Sequence, residues 1–221
     1  MSRRGERRSI GGEKIENYDS VPDHAESLGE IAFGAIFLTF DDGPDEEWTP
    51  RILDALAAAR TRATFFVVGQ AVRAAPSLLR RVAAEGHGIG NHSYAHRHPW
   101  TMRDADARRE VRDGAAAIAD ALGEPARLFR PPHGRLRRCM VDEAAQSGQR
   151  TVLWSLSAVD WGPLGRAPRI AARLRRTAPG DIVLMHDGRC RHNRPDELMR
   201  VLPGVLAELA ERRLRAMPVP G

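Results

Sequence analysis

The sequence predicts an α/β fold of about seven β/α units around a parallel sheet. Three observations carry this. From Ile31 onward, apolar runs alternate with amphipathic helical stretches, joined by connections of the length parallel sheets use. The first apolar run, Ile31 to Phe40, is continuous rather than alternating, as in a strand buried on both faces. The unusual polar residues (Asp41-Asp42, His92, Arg130, Asp160-Trp161 and His186) each follow the C-terminal end of a predicted strand. In a β/α barrel that is the face where functional groups converge. An open doubly wound sheet is the alternative architecture.

Residues 1–30 are rich in charge and poor in apolar side chains, and read as a polar, flexible leader to a domain spanning 31–221. After the first strand, Thr49-Pro50 offers an N-cap and an N1 proline for a helix reaching Arg60, with Ile52, Leu53 and Leu56 on one face. Ala63–Val68 is a second buried strand. A helix from Pro76 stops at Gly86, a plausible left-handed terminator. Gly88-Ile89-Gly90 forms a third strand leading into Asn91-His92. Thr101 opens the longest helix, Met102 to Leu122, with Asp104 in a capping-box position and Gly123 closing it. A short strand over Arg127–Arg130 precedes a helix from Arg135 to Ser147. Thr151–Ser155 is a strand, followed by a loop and a helix from Pro168 to Ala178. Asp181–Met185 is a strand running into His186. Pro195 starts a final helix, bent or split at Pro203, and Leu214–Met217 is a last short strand.

Composition narrows the function classes. The 221 residues suit one large domain, and the two cysteines, Cys139 and Cys190, give no disulfide framework. No stretch approaches the roughly 20 apolar residues of a membrane span. Arg3-Arg4 and Arg7-Arg8 are not followed by an apolar core, so no secretion signal is read and a cytoplasmic location is expected, or secretion if a leader precedes the chain. The net charge is +5, carried by arginines beside alanines on helix patterns, a solvated basic face. Nucleic-acid binding would want those charges interleaved with aromatics, which make up only 5% of residues. Neither nucleic acid nor membrane is therefore expected as a partner.

The sharpest local signal is Thr39-Phe40-Asp41-Asp42-Gly43-Pro44. Two adjacent carboxylates at a buried strand's end are costly unless a cation or a reaction uses them. One division of labour is Asp42 on a metal and Asp41 on a proton. His92 and His96 stand four residues apart in Asn91-His92-Ser93-Tyr94-Ala95-His96, and on a helical turn both would face one ion. With Asp42 they make a two-histidine, one-carboxylate set that leaves coordination positions open. Non-haem iron oxygenases use such triads too. Those favour all-β barrels, whereas this chain alternates β and α, so hydrolysis is expected.

Five segments in order resemble the polysaccharide deacetylase family, the NodB-homology group that includes chitin, chitooligosaccharide and peptidoglycan deacetylases. Thr39–Pro44 matches TFDDGP, and His92–His96 matches H-S/T-x-x-H. Arg130-Pro131-Pro132-His133-Gly134 is similar to R-x-P-Y-G, Val159-Asp160-Trp161 to the DW motif, and Leu184-Met185-His186 to L-x-H. The resemblance spans roughly residues 35–218. It implies a deformed (β/α) barrel, TIM-barrel-like, with fewer than eight complete units. It implies a divalent cation, Zn2+ first with Co2+ or another ion as alternatives, on Asp42, His92 and His96. Asp41 would be the general base and His186 the general acid. Arg130 would hold the Asp41 carboxylate, and Asp160 would raise the pKa of His186. The backbone N–H of His133 would bind the oxyanion, and Trp161 and Leu184 would wall a small acetyl pocket. The implied activity is removal of N-acetyl groups from N-acetylglucosamine-containing saccharides. O-deacetylation, or carbohydrate binding without catalysis, is the alternative.

The chain departs from the pattern twice. His133 stands where the family has an aromatic residue, and Ser157 where an acid often precedes the DW pair. His98 adds an imidazole beside Pro99, which favours an extended backbone and a place on the rim. His24, His87 and His192 read as structural or surface residues, and Cys139 as a small core side chain. Competing readings of the site residues are a loop cap for Asp160, ordinary core for Trp161 and a buried structural histidine for His186.

Overall fold

A computed structural model describes residues Gly34–Gly221. The leader, His24 and the first residues of the Ile31–Phe40 run lie outside the described residues. The chain gives β1 (Ala35–Asp41), α1 (Trp48–Ala58), β2 (Thr64–Val67), α2 (Gly69–Ala74), α3 (Pro76–Ala84) and β3 (Gly88–Asn91). Then follow α4 (Asp104–Leu122), β4 (Leu128–Phe129), α5 (Arg138–Gln146), β5 (Arg150–Thr151) and β6 (Leu156–Ser157). The last elements are α6 (Ala167–Leu174), β7 (Ile182–His186), α7 (Pro195–Met199), α8 (Leu202–Glu211) and β8 (Arg215–Ala216).

Every ladder is parallel, in the order β5-β4-β3-β2-β1-β7-β6, with β8 pairing the start of β1. The two ends of that path, β5 and β6, do not pair with each other, so the sheet curls into an incompletely closed barrel, as expected. Side chains alternate across it. Ile36, Leu38 and Phe40 of β1 join Phe65, Val67, Val183 and Met185 in the main core under the helices. Phe37 and Ile182 instead join Phe66, Leu128, Val152 and Val219 in a smaller inner cluster. By the same two-residue period Thr39 and Asp41 of β1, with Leu184 and His186 of β7, share the inner face.

Several element boundaries differ from the sequence reading for identifiable reasons. The first carboxylate, Asp41, lies inside β1 rather than past its end. Helix α1 begins at Trp48, because Asp45 Oδ1 accepts the backbone N–H groups of Glu47 and Trp48 at 2.9 Å; Thr49 is therefore not the cap. Helix α2 was not anticipated, since six residues carry too short a pattern. Met102 lies before α4, whose C-terminus ends on left-handed Gly123 (φ 79°) as expected. The final helix is split before Pro203, which sits in the first turn of α8.

The largest correction concerns Thr151–Ser155. Only Arg150–Thr151 pair with β4, and the chain leaves the sheet until Leu156. The carbonyls of Val152 and Leu153 accept hydrogen bonds from Arg130 Nε (3.2 Å) and Nη2 (3.1 Å). A guanidinium thus occupies the acceptors that a longer strand would have used for its ladder.

Candidate active site

The inner face of the barrel is built around Arg130, which is fully buried just past β4. Its Nη1 donates to Asp41 Oδ1 at 2.7 Å and to Thr39 Oγ1 at 2.8 Å. Its guanidinium lies 3.9 Å from the Phe66 ring centroid, so a cation–π contact supports a charge that burial alone would disfavour. Burial pushes the Arg130 pKa down, and Asp41 opposes that shift. Arg130 therefore holds one oxygen of Asp41 and leaves the other, Oδ2, facing His92 Nε2 at 3.6 Å.

Asp42, His92 and His96 come together. Their ligand atoms lie within 4.8 Å of one another, and among the described residues no other such set occurs. Asp42 Oδ1 lies 3.1 Å from His96 Nε2 and 3.5 Å from His92 Nε2. That oxygen is buried and has no hydrogen-bond donor, which is the arrangement expected of a carboxylate oxygen reserved for a cation. His92 Nδ1 is engaged by the Arg130 carbonyl at 2.7 Å, which turns its Nε2 toward the carboxylate. The donor set of two imidazoles and one carboxylate fits zinc or a similar divalent ion.

The electrostatics fit the same occupant. Burial raises the Asp42 carboxyl, but the His92 ring facing it and the charges of His96, His186 and His92 outweigh that and hold the pKa well below the usual range. Burial and His92 push His96 down to about 4, which leaves a neutral imidazole at neutral pH. For His92, burial opposes protonation, yet Asp41 and Asp42 raise its pKa. The carboxylates thus demand positive charge at this point, and a divalent cation meets that demand.

The two histidines do not lie on a helical turn, contrary to the spacing argument. They sit on a loop in which Ser93 (φ 68°) and His96 (φ 51°) are left-handed. The loop is held from below: Asn91 Oδ1 accepts from Ser93 N–H at 3.0 Å, Ser93 Oγ from His96 N–H at 3.1 Å, and buried Glu110 of α4 from Ala95 N–H at 2.7 Å. Among the described residues, five of the seven non-glycine residues with positive φ (Asp42, Ser93, His96, His133 and Val159) flank this site. Backbone strain of order 1–3 kcal/mol per residue persists where the surroundings over-determine it, typically at functional sites.

On the other side, His186 closes β7 and stands in register with Asp41. Asp160 holds it twice, through Oδ1 to Nδ1 at 2.8 Å and through Oδ2 to the backbone N–H at 2.7 Å. Burial opposes protonation of His186, but Asp160, aided by Asp42 and Asp41, pushes its pKa up to about 10. Asp160 is therefore not a loop cap. Trp161 lies edge-on to the His186 ring, at 5.4 Å between centroids, and Leu184 lies two residues earlier on the same face of β7.

The rim carries His133 and His98. The His133 ring stacks on His98 at 5.1 Å and meets His96 edge-on at 4.6 Å, so a row of imidazoles leads outward from the three-donor set. Burial and His98 lower the His133 pKa. His98 has the extended backbone that Pro99 favours (φ −62°, ψ 122°). His87 is structural, accepting Ala63 N–H, and His192 is exposed. Cys139 is a buried core residue.

Sequence reasoning missed two supporting residues. Asn193 donates to Asp42 Oδ2 at 2.7 Å. Asp187 is fully buried behind the Asp42-Gly43 turn and accepts from Thr49 Oγ1 at 2.5 Å. Burial raises its pKa to about 7. A Cβ at Gly43 would sit 2.1 Å from Asp187 Oδ2, so only glycine fits there. An acid directly after His186 was the available signal for Asp187. For Asn193, nothing in its local sequence points to a contact across 151 positions.

Comparison with known proteins shows the family of the chain. The polysaccharide deacetylase family model matches residues 31–152. A peptidoglycan-N-acetylglucosamine deacetylase of Bacillus cereus is 36% identical over 186 residues, covering 83% of this chain and 85% of that one. A chitooligosaccharide deacetylase of Rhizobium leguminosarum bv. trifolii is 41% identical over 164 residues, 74% of each chain. Among solved structures, a family 4 carbohydrate esterase from Streptomyces lividans in complex with acetate superposes with a TM-score of 0.77 at 32% identity, covering 85% of this chain and 93% of that one. Among the described residues no helix is long and apolar enough to cross a membrane. The chain is a hydrolase and belongs to the polysaccharide deacetylase family.

Proposed function

We propose that residues 31–221 form a divalent-metal-dependent N-deacetylase acting on N-acetylglucosamine-containing saccharides. The observation that carries this reading is that Asp41 and His186 flank the Asp42-His92-His96 set on one inner face of the barrel. Asp42, His92 and His96 hold the metal, with Zn2+ as the expected ion. When bound there, the metal supplies positive charge that polarises the acyl carbonyl and acidifies water.

The chain's own residues do the rest. Asp41 Oδ2, left free by the Arg130 contact on Oδ1, takes a proton from the attacking water. The water oxygen bonds to the acyl carbon, and the backbone N–H of His133 donates to the oxyanion. His186, kept protonated by Asp160, gives its proton to the sugar nitrogen as the carbon–nitrogen bond breaks. Acetate and a free amino sugar leave. Leu184 and Trp161 wall the pocket for the acyl methyl group, excluding water from the His186 side.

The relatives named for peptidoglycan and chitooligosaccharide supply the substrate class. The test is acetate release from chitooligosaccharides, peptidoglycan fragments and acetylated xylan, with and without a chelator. Chelator-sensitive release from the first two, restored by Zn2+ or Co2+, is expected. Release from acetylated xylan alone would replace the amide reading by an esterase. Binding of saccharides without any release would leave a carbohydrate-binding protein.

A further inference from the structure

Asp42 presents two oxygens to different surroundings. Oδ1 faces the two imidazoles and has no donor, whereas Oδ2 accepts a hydrogen bond from Asn193 Nδ2 at 2.7 Å. The same nitrogen donates to the Gly188 carbonyl at 2.9 Å. A carboxylate oxygen and a backbone carbonyl can only accept, so the amide nitrogen, not its oxygen, must face both. Asn193 is thus locked in one orientation by two acceptors.

The segment that carries Asn193 is tied on two further sides. Asn193 forms an antiparallel bridge with Trp161, Gly162 N–H donates to the His192 carbonyl at 2.7 Å, and Arg194 N–H donates to the Asp160 carbonyl at 2.8 Å. At its other end, Gly188 approaches Asp42 so closely that a Cβ would lie 2.2 Å from the Asp42 carbonyl oxygen. The segment 188–194 therefore connects Asp42 directly to the Asp160-Trp161 stretch that holds His186.

We propose that Asn193 is a positioning residue for the metal-ligating carboxylate: it clamps Asp42 Oδ2 so that Oδ1 points at the ion, and it links metal occupancy to the order of segment 188–194. This rests on the metal reading of Asp42, His92 and His96. Without the clamp the Asp42 carboxylate is free to rotate, and Oδ1 must be oriented at the moment of binding. Outer hydrogen-bond partners of metal ligands are generally worth about tenfold to a hundredfold in affinity. By linkage, an ion that favours the clamped carboxylate also favours the ordered segment.

The experiment measures Zn2+ affinity by chelator competition, and the visible absorption of the Co2+ form, for the parent chain, Asn193→Ala and Asn193→Leu. Leu keeps the side-chain volume and removes the donor. Both variants are expected to melt near the parent temperature without metal, to bind Zn2+ about tenfold to a hundredfold more weakly, and to show an altered Co2+ spectrum. Affinity within about twofold of the parent in a folded variant, with an unchanged spectrum, overturns the proposal; twofold is far below the range expected for such partners. Hydrogen exchange on the parent gives a reading that needs no variant. Zn2+ is expected to slow amide exchange over 188–194, and rates indifferent to Zn2+ overturn the link. If the parent binds no divalent cation, the metal reading itself fails. If it binds and the variants bind equally well, only the role of Asn193 falls.

Discussion

Asp41 and His186 are register partners on neighbouring parallel strands, so the proposed proton acceptor and proton donor project from one rung of the sheet. Each is held by an oppositely charged partner, Arg130 for Asp41 and Asp160 for His186. The two pairs share no residue, which gives each a separate test.

Asp41→Asn keeps the shape of the side chain and an oxygen for Arg130, but it removes the base. Zn2+ affinity is expected to stay within a few-fold of the parent, while deacetylation falls about 10²- to 10⁴-fold, the usual worth of a general base. His92→Ala is expected to lose metal and activity together. Full activity in Asp41→Asn would remove the base assignment.

The Asp160–His186 pair sets an alkaline limit. With its pKa pushed up to about 10, His186 is protonated and able to donate below that pH and loses the proton above it. Deacetylation is expected to decline as pH rises through about 10. Asp160→Asn removes the nearest negative charge, so that limb should move toward the ordinary histidine value of about 6.5. Stability follows the same sign. A raised folded-state pKa contributes stability that is fully present below the unfolded value and is lost as pH rises through the folded value. Urea melts of the parent between pH 6.5 and 10 should show that loss, and those of Asp160→Asn should not. A coincident alkaline limb in both proteins would break the assignment.

Arg130→Met tests the buried ion pair. It leaves Asp41 without its cation and the Val152 and Leu153 carbonyls without their donors. Breaking one side of a buried pair typically costs about 3–5 kcal/mol. Equilibrium urea unfolding measures it, and a loss under about 1 kcal/mol, the scale of an exposed pair, would contradict the geometry.

Two helix glycines should respond to alanine with opposite signs. At Gly204 of α8 a Cβ meets nothing within 4 Å, so Gly204→Ala should stabilise by about 0.4–1 kcal/mol. At Gly114 of α4 a Cβ would lie 2.3 Å from Asn91 Oδ1 and 2.7 Å from the Ser93 carbonyl carbon. Gly114→Ala should therefore destabilise by about 1–3 kcal/mol and weaken Zn2+ binding, because it pushes on the loop that carries His92 and His96. Thermal melts with and without metal separate the two effects. A stabilising Gly114→Ala would show that the loop yields freely.

By itself the sequence determined the alternation of strands and helices, because burial on both faces of a parallel strand demands continuous apolar runs such as Ile36–Phe40. It also determined which polar residues stand at strand ends, since Asp41-Asp42, His92, Arg130 and His186 each interrupt or follow such a run. Tertiary structure decided the rest. Strand β5 stops at Thr151, and Arg130, from just past β4, takes the next two carbonyls. His92 and His96 converge through left-handed residues in a loop braced by Glu110, not through helical spacing. Asn193 reaches Asp42 from 151 positions away. Local patterns encode burial and periodicity, whereas hydrogen bonds between distant segments exist only once the chain has closed on itself, and those bonds orient the site.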